Sequence, residues 1–143
     1  TAMAVTSDLS HPTDVHPRNK RDVGHRLALA ALAQVYGRGN EFSGPQIEKA
    51  TVRGTNVILR FRHASSLKTI DGQPPNGFEL AGADGIFHSV TASIQNGAVV
   101  LTGGGVSVPA LVRYEWQPFP KPAQNLINAA GLPASTFRAV VAH

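Results

Sequence analysis

The pattern of apolar residues in this chain changes once. Between Val23 and Tyr36 they crowd together, and Leu27-Ala28-Leu29-Ala30-Ala31-Leu32-Ala33 has no polar interruption. From Gln46 onward they alternate: Val57, Leu59 and Phe61 fall on one side of an extended chain, Ile58, Arg60 and Arg62 on the other. The first stretch is rich in Ala and Leu, the strongest helix formers, and a period of 2 specifies a strand with one buried face. The expected fold class is therefore α+β, with a helix first and antiparallel strands after it.

The helix is expected over roughly 20–36. Pro12 and Pro17 oppose helix before it, so residues 1–19 read as an irregular leading segment. Asn19 is a good N-cap, and Asp22 places an acid where the first amides are exposed. Gly37 stands where a glycine commonly ends a helix. A surface helix shows one apolar stripe, whereas this one is apolar nearly all round. It therefore calls for cover on most sides, more than a small domain supplies.

Beyond Gln46, strands are expected at Val57–Arg62, Phe78–Ala81, Val90–Gln95, Ala98–Leu101 and Ala110–Trp116. Asn96-Gly97 between two of them is a two-residue hairpin signal. The chain has 14 Gly and 10 Pro, which favours many turns over a helix bundle. Short strands with turns between them point to an antiparallel β-sandwich over 46–117. Pro120, Pro122, Gly131 and Pro133 make 118–143 read as an irregular tail. With 42% hydrophobic and 15% charged residues, there is enough apolar side chain for one core.

Some function classes drop out. The absence of cysteine removes disulfides and thiolate chemistry. There is no apolar run of about 18 residues, so no membrane helix is expected. Thr1-Ala2-Met3-Ala4 lacks the features of a signal peptide, and a mature or truncated start is expected. The net charge of +4 gathers at Arg18, Lys20, Arg21, His25 and Arg26. That cluster has no interleaved aromatics, and it reads as a solvated helix start and not as a nucleic-acid interface.

The residues that could carry chemistry lie in His11-Pro12-Thr13-Asp14-Val15-His16-Pro17. On an extended stretch Asp14 and His16 point to the same side. A hydrolytic triad needs such a pair: the histidine takes the nucleophile's proton, and the acid fixes its tautomer and stabilises its cation. Two other readings stay open, a chance pairing on an exposed loop and a metal site built from Asp8, His11, Asp14 and His16.

The wider sequence resembles a known family. Asp14-Val15-His16-Pro17-Arg18-Asn19-Lys20, followed by Val23-Gly24-His25-Arg26-Leu27-Ala28, is similar to the Asp-(Ile/Val)-His-Pro-x-Asn-Lys…Val-Gly-x-Arg-Leu-Ala stretch that closes the SGNH hydrolase domain of sialate O-acetylesterases. Phe42-Ser43-Gly44-Pro45, Gly77–Gly85, Val112–Trp116, Asn125-Leu126, Gly131–Ser135 and Phe137-Arg138 resemble later segments of that family, in order. The resemblance implies that 1–45 is the C-terminal end of an SGNH α/β domain, 46–117 a β-sandwich and 118–143 a tail. It implies an esterase that removes O-acetyl groups from sugars, with His16 as general base, Asp14 as its orienting acid and no cofactor. It also implies a secreted or periplasmic location.

The family's Gly-Asp-Ser-like nucleophile block and its oxyanion-hole Gly and Asn have no counterpart in this sequence. The chain is therefore expected to be a fragment or one of two polypeptides, inactive alone. Its expected partners are an N-terminal SGNH portion carrying the serine and an O-acetylated sugar, with neither nucleic acid nor membrane. The alternative is a non-catalytic β-sandwich module that binds carbohydrate or packs on a catalytic domain.

Other residues have plainer expectations. Ser43 reads as a turn residue, and Ser65, Ser66, Ser89 and Ser107 have no base beside them in sequence. Trp116 is expected in the core, with a sugar-stacking platform as the other reading. Arg113 is expected to pair with Glu115 or another acid. His63 and His88 are expected at the surface, and Gly103-Gly104-Gly105 in a flexible connection.

Overall fold

A computed structural model describes all residues, 1–143. The protein is mostly β, with one α-helix. A short 3-10 turn at Ser7–Leu9 precedes α1 (Lys20–Gln34). Ten strands follow: β1 (Gln46–Arg53), β2 (Asn56–Arg62), β3 (Lys68–Thr69), β4 (Phe78–Ala81), β5 (Phe87–Ser89), β6 (Thr91–Gln95), β7 (Ala98–Thr102), β8 (Leu111–Tyr114), β9 (Leu126–Ile127) and β10 (Phe137–Ala142).

The helix starts as its cap residue dictates. The Asn19 side-chain oxygen accepts from the Asp22 amide at 3.1 Å, and its Nδ2 donates to the Asp22 carboxylate at 2.8 Å. Gly37 takes a positive φ of 64°, and the Arg38 amide turns back to the Leu32 carbonyl. The strand alternation is realised in β2, where Val57, Leu59 and Phe61 are buried while Arg60 and Arg62 are exposed. At the β6–β7 hairpin both Asn96 (φ 49°) and Gly97 (φ 72°) are left-handed, as a tight two-residue turn requires.

Eight strands form one sheet in the order β5-β4-β8-β10-β1-β2-β7-β6, and β3 and β9 form a separate ribbon. The two marginal strands, β5 and β6, are joined through Val90 alone. The sheet therefore curls until its margins meet, nearly closing around one core. Phe78, Leu80, Val112 and Tyr114 from one half face Val57, Leu59, Val99 and Leu101 from the other. The expected sandwich of separate antiparallel sheets is thus replaced by one continuous sheet, and one of its pairings, β1 with β10, is parallel.

The tail is not irregular. β10 lies between β8 and β1, with Phe137 opposite Tyr114 and Val141 opposite Ala50. Phe137 packs against Phe61 at 5.9 Å, Tyr114 at 5.8 Å and Phe78 at 6.5 Å between ring centroids. The turns before it are tied down by buried amides. Asn128 Nδ2 donates to the carbonyls of Ser43 and His63, its Oδ1 accepts from the Leu132 amide, and Asn125 Nδ2 donates to Pro74 O and Asp71. Buried amide groups bonded this way cost little, which lets a Pro- and Gly-rich run stay ordered. Gly44 is fixed by the same region, because a Cβ there would lie 1.8 Å from the Pro133 carbonyl oxygen.

Deleting residues 137–143 is expected to abolish cooperative unfolding of the β unit, since it removes the strand joining its two halves. Val140→Ala, on the outward face of β10, should shift stability by no more than about 0.5 kcal/mol. Thermal denaturation of the protein carrying each change, followed by near-UV circular dichroism, checks both.

Candidate functional site

Asp14 and His16 meet as their spacing suggested. The Asp14 Oδ1 accepts from the His16 amide at 2.9 Å and lies 3.1 Å from the His16 Nδ1. With the proton on Nδ1 the ring donates to the carboxylate, which leaves Nε2 free as a base. The His16 amide, then its ring, hold the Asp14 carboxyl below the usual range, helped by the proximity of His11 and Lys20. His16 is 79% exposed, and its ring makes no hydrogen bond to a hydroxyl of this chain.

The loop is anchored from behind. Arg26 forms a bidentate pair with Asp8, both contacts at 2.6 Å, and also donates to the Val5 carbonyl. Ser7 Oγ donates to Gln124 Oε1 at 2.7 Å, which ties the leading segment to the turns before β9. Arg26 is thus removed from the basic cluster, buried to 9% exposure. Asp8 is committed to it, and nowhere do three His, Asp or Glu side chains gather as metal ligands would. Sequence reasoning missed this clamp, although Arg26 sits one helical turn before Ala30, the other buried residue of α1.

The helix is covered on one side only. Arg26 and Ala30 are buried, while Leu27, Leu32, Val35 and Tyr36 are exposed, as is Val15 on the loop. The cover that its apolar sequence calls for is not supplied by these 143 residues.

Ser43 is a turn residue, buried, its Oγ donating to the Gly44 carbonyl and accepting from Gln46 Nε2. His63 is not a plain surface residue: its Nδ1 lies 2.8 Å from Glu41 Oε1. Partial burial pushes the Glu41 carboxyl up, but its bonds from His63, Ser43 and Phe42 outweigh that and hold it low. Arg113 pairs with Glu79, at 2.7 and 2.9 Å, and not with Glu115. Trp116 is not in the core; it is 52% exposed.

The burial of Glu115 does not follow from the sequence. It adopts φ +49°, is 2% exposed, and neither carboxylate oxygen has a hydrogen-bond partner. Its amide donates to the Gly77 carbonyl at 2.9 Å, and its carboxyl packs on Gly77, where any Cβ would collide with it. Burial, reinforced by the negative Glu79, pushes its pKa up to about 7.

No family model matches the chain. Along its whole length it is similar to sialate O-acetylesterases, at 27% identity to that of the mouse (Mus musculus) and 30% to that of the rat (Rattus norvegicus). It spans 29% of the length of each. Its fold matches the crystal structure of a carbohydrate acetylesterase from Xanthomonas citri with a TM-score of 0.85 and 44% identity, covering 92% of this chain and 30% of that one. The family resemblance read from the motifs therefore holds across the chain, and the chain is under a third as long as the proteins it resembles.

The Glu115 carboxyl makes stability depend on pH. Its folded pKa, about 7, lies above the ordinary 4.5, so the folded state binds more protons between those values. Stability should fall as pH rises from about 4.5 to 7 and stay low above. Melting temperature measured across that window should show the decline, and Glu115→Gln should flatten it.

Proposed function

We propose that this chain is the C-terminal portion of a carboxylic-ester hydrolase that removes O-acetyl groups from sugars. In this reading residues 1–45 complete the catalytic domain and the β unit follows it. The observation that carries the reading is the Asp14–His16 pair, with its acid bonded to Nδ1 and its Nε2 open, in a chain similar throughout to acetylesterases.

His16 acts as general base on a serine supplied by the preceding part of the protein, and then returns the proton to the leaving sugar oxygen. Asp14 holds the ring with Nδ1 protonated and stabilises the imidazolium. It is already ionised and doubly hydrogen-bonded, so it transfers no proton itself. The high exposure of His16 in this chain supports a nucleophile that approaches from outside it. The uncovered face of α1 supports the same partner, because an N-terminal SGNH portion would bury Leu27, Leu32 and Val35. No cofactor enters the scheme. A secreted or periplasmic location is part of the proposal, by resemblance.

The test compares the full-length protein, its His16→Ala and Asp14→Asn variants, and this chain alone, on p-nitrophenyl acetate and O-acetylated sialic acid. His16→Ala should lower kcat by about 10⁴-fold or more with folding intact, since a loop histidine contributes little to the core. Asp14→Asn should cost as much or less, and the isolated chain should be inactive. A fully active His16→Ala protein, or turnover by the chain alone that is lost with one of its own serines, would overturn the assignment.

A further inference from the structure

Three unfavourable features meet where β8 ends. Glu115 sits in the left-handed region, which disfavours any residue with a Cβ. Its carboxyl is buried without a partner. Trp116, the one tryptophan of the chain, is left half exposed, where burial would have been favourable. None of the three helps the core, which is filled by Tyr114, Phe78 and Phe137. Their common result is geometric. The left-handed turn at Glu115 swings its own side chain inward over Gly77 and presents the next ring to solvent. His63, Ser66 and Asn96 are also left-handed, but only at Glu115 does that conformation coincide with a buried carboxyl that has no partner, and strain combined in this way points to a site that needs the geometry.

The surroundings fit a ligand of definite chemistry. Trp116 borders a depression of about 280 Å³ shared with Gln117, Pro118 and Thr136. Glu115 and Gln117 continue into a second, of about 400 Å³, whose rim includes Ser89, Thr91 and Lys121. In the other direction Pro118, with Phe119, lines a third that is formed by the loop from Thr6 to Pro17, Asp14 included. The first depression thus shares Glu115 and Gln117 with the second, and Pro118 with the third, which is formed by the loop that carries the Asp14–His16 pair. A flat aromatic face beside hydroxyl and amide side chains, with the polar groups of Glu79, Lys121 and Asp14 in the adjoining depressions, suits the apolar C–H face of a sugar ring and its ring of hydroxyls.

We propose that Trp116 and the depressions along 115–122 form a carbohydrate subsite, which holds a pyranose ring of the substrate other than the one losing its acetyl group. This rests on the reading of His16 as an ester hydrolase's base. The β unit would then contribute specificity for sugars that are part of a longer chain, and Trp116 is a binding residue with no part in the acyl-transfer step.

The test uses the full-length protein with Trp116→Ala and Trp116→Tyr. Substrates are two chemically O-acetylated pairs, sialic acid with sialyllactose and glucose with cellotetraose, plus p-nitrophenyl acetate as a control. The wild type should prefer the longer member of at least one pair. Trp116→Ala should remove that preference, mostly through a KM about tenfold higher on the longer sugar. Trp116→Tyr should restore part of the preference. Equal use of short and long sugars by the wild type, or a preference that survives Trp116→Ala, overturns the subsite. Failure of the hydrolase reading shows separately, as p-nitrophenyl acetate turnover that ignores His16→Ala. In that case calorimetric titration with sialyllactose and cellotetraose decides the subsite: binding of one that weakens in Trp116→Ala supports it, and binding of neither, or binding that Trp116→Ala leaves unchanged, overturns it.

Discussion

The insertion of β10 between β8 and β1 is what the β unit depends on. Without it, β5-β4-β8 and β1-β2-β7-β6 share no hydrogen-bonded neighbour. With it they become one curved sheet, and Phe137 occupies the centre of an aromatic group drawn from both halves. The pairing of β10 with β1 is parallel and joins residues some ninety positions apart, such as Ala50 and Val141. Such a contact is slow to find and is rewarded only when the intervening chain is already in place. The bonded amides of Asn125 and Asn128 bring that chain to the right position.

The Asp14–His16 loop is held differently. It has no strand beneath it and little burial. Its support is the Arg26–Asp8 pair, which joins the leading segment to α1, and the Ser7–Gln124 bond, which joins it to the turns before β9. A bidentate guanidinium–carboxylate contact fixes orientation as well as distance. The loop is thus positioned relative to both the helix and the β unit, although neither encloses it.

Much of this was legible in the sequence wherever the deciding physics is local. The alternation of Val57, Leu59 and Phe61, the turn at Asn96-Gly97, the Asn19 cap and the Asp14–His16 pairing each depend on a few neighbouring residues, and each has the structure expected. β10 was missed although Phe137, Ala139 and Val141 alternate with Arg138 and Val140, because its partners are remote and four Pro and Gly residues precede it. Arg26 was hidden by its charged neighbours, since its burial depends on Asp8, eighteen residues earlier. Glu115 and Trp116 exchanged the places that alternation along β8 would give them, because one left-handed residue breaks the period. Propensity argues against that conformation, and it can only be learned from the fold.

The passage through Val90 has a consequence for how such a unit can be used. A sheet whose first and last strands run into one another exposes no long row of unpaired amides and carbonyls, and β5, the shorter margin, is only three residues long. Open strand edges are where β proteins stick to each other and where neighbouring segments add themselves by mistake. A unit built this way can be tethered to another folded body, at the high effective concentration a covalent link imposes, with little risk of strand exchange between the two.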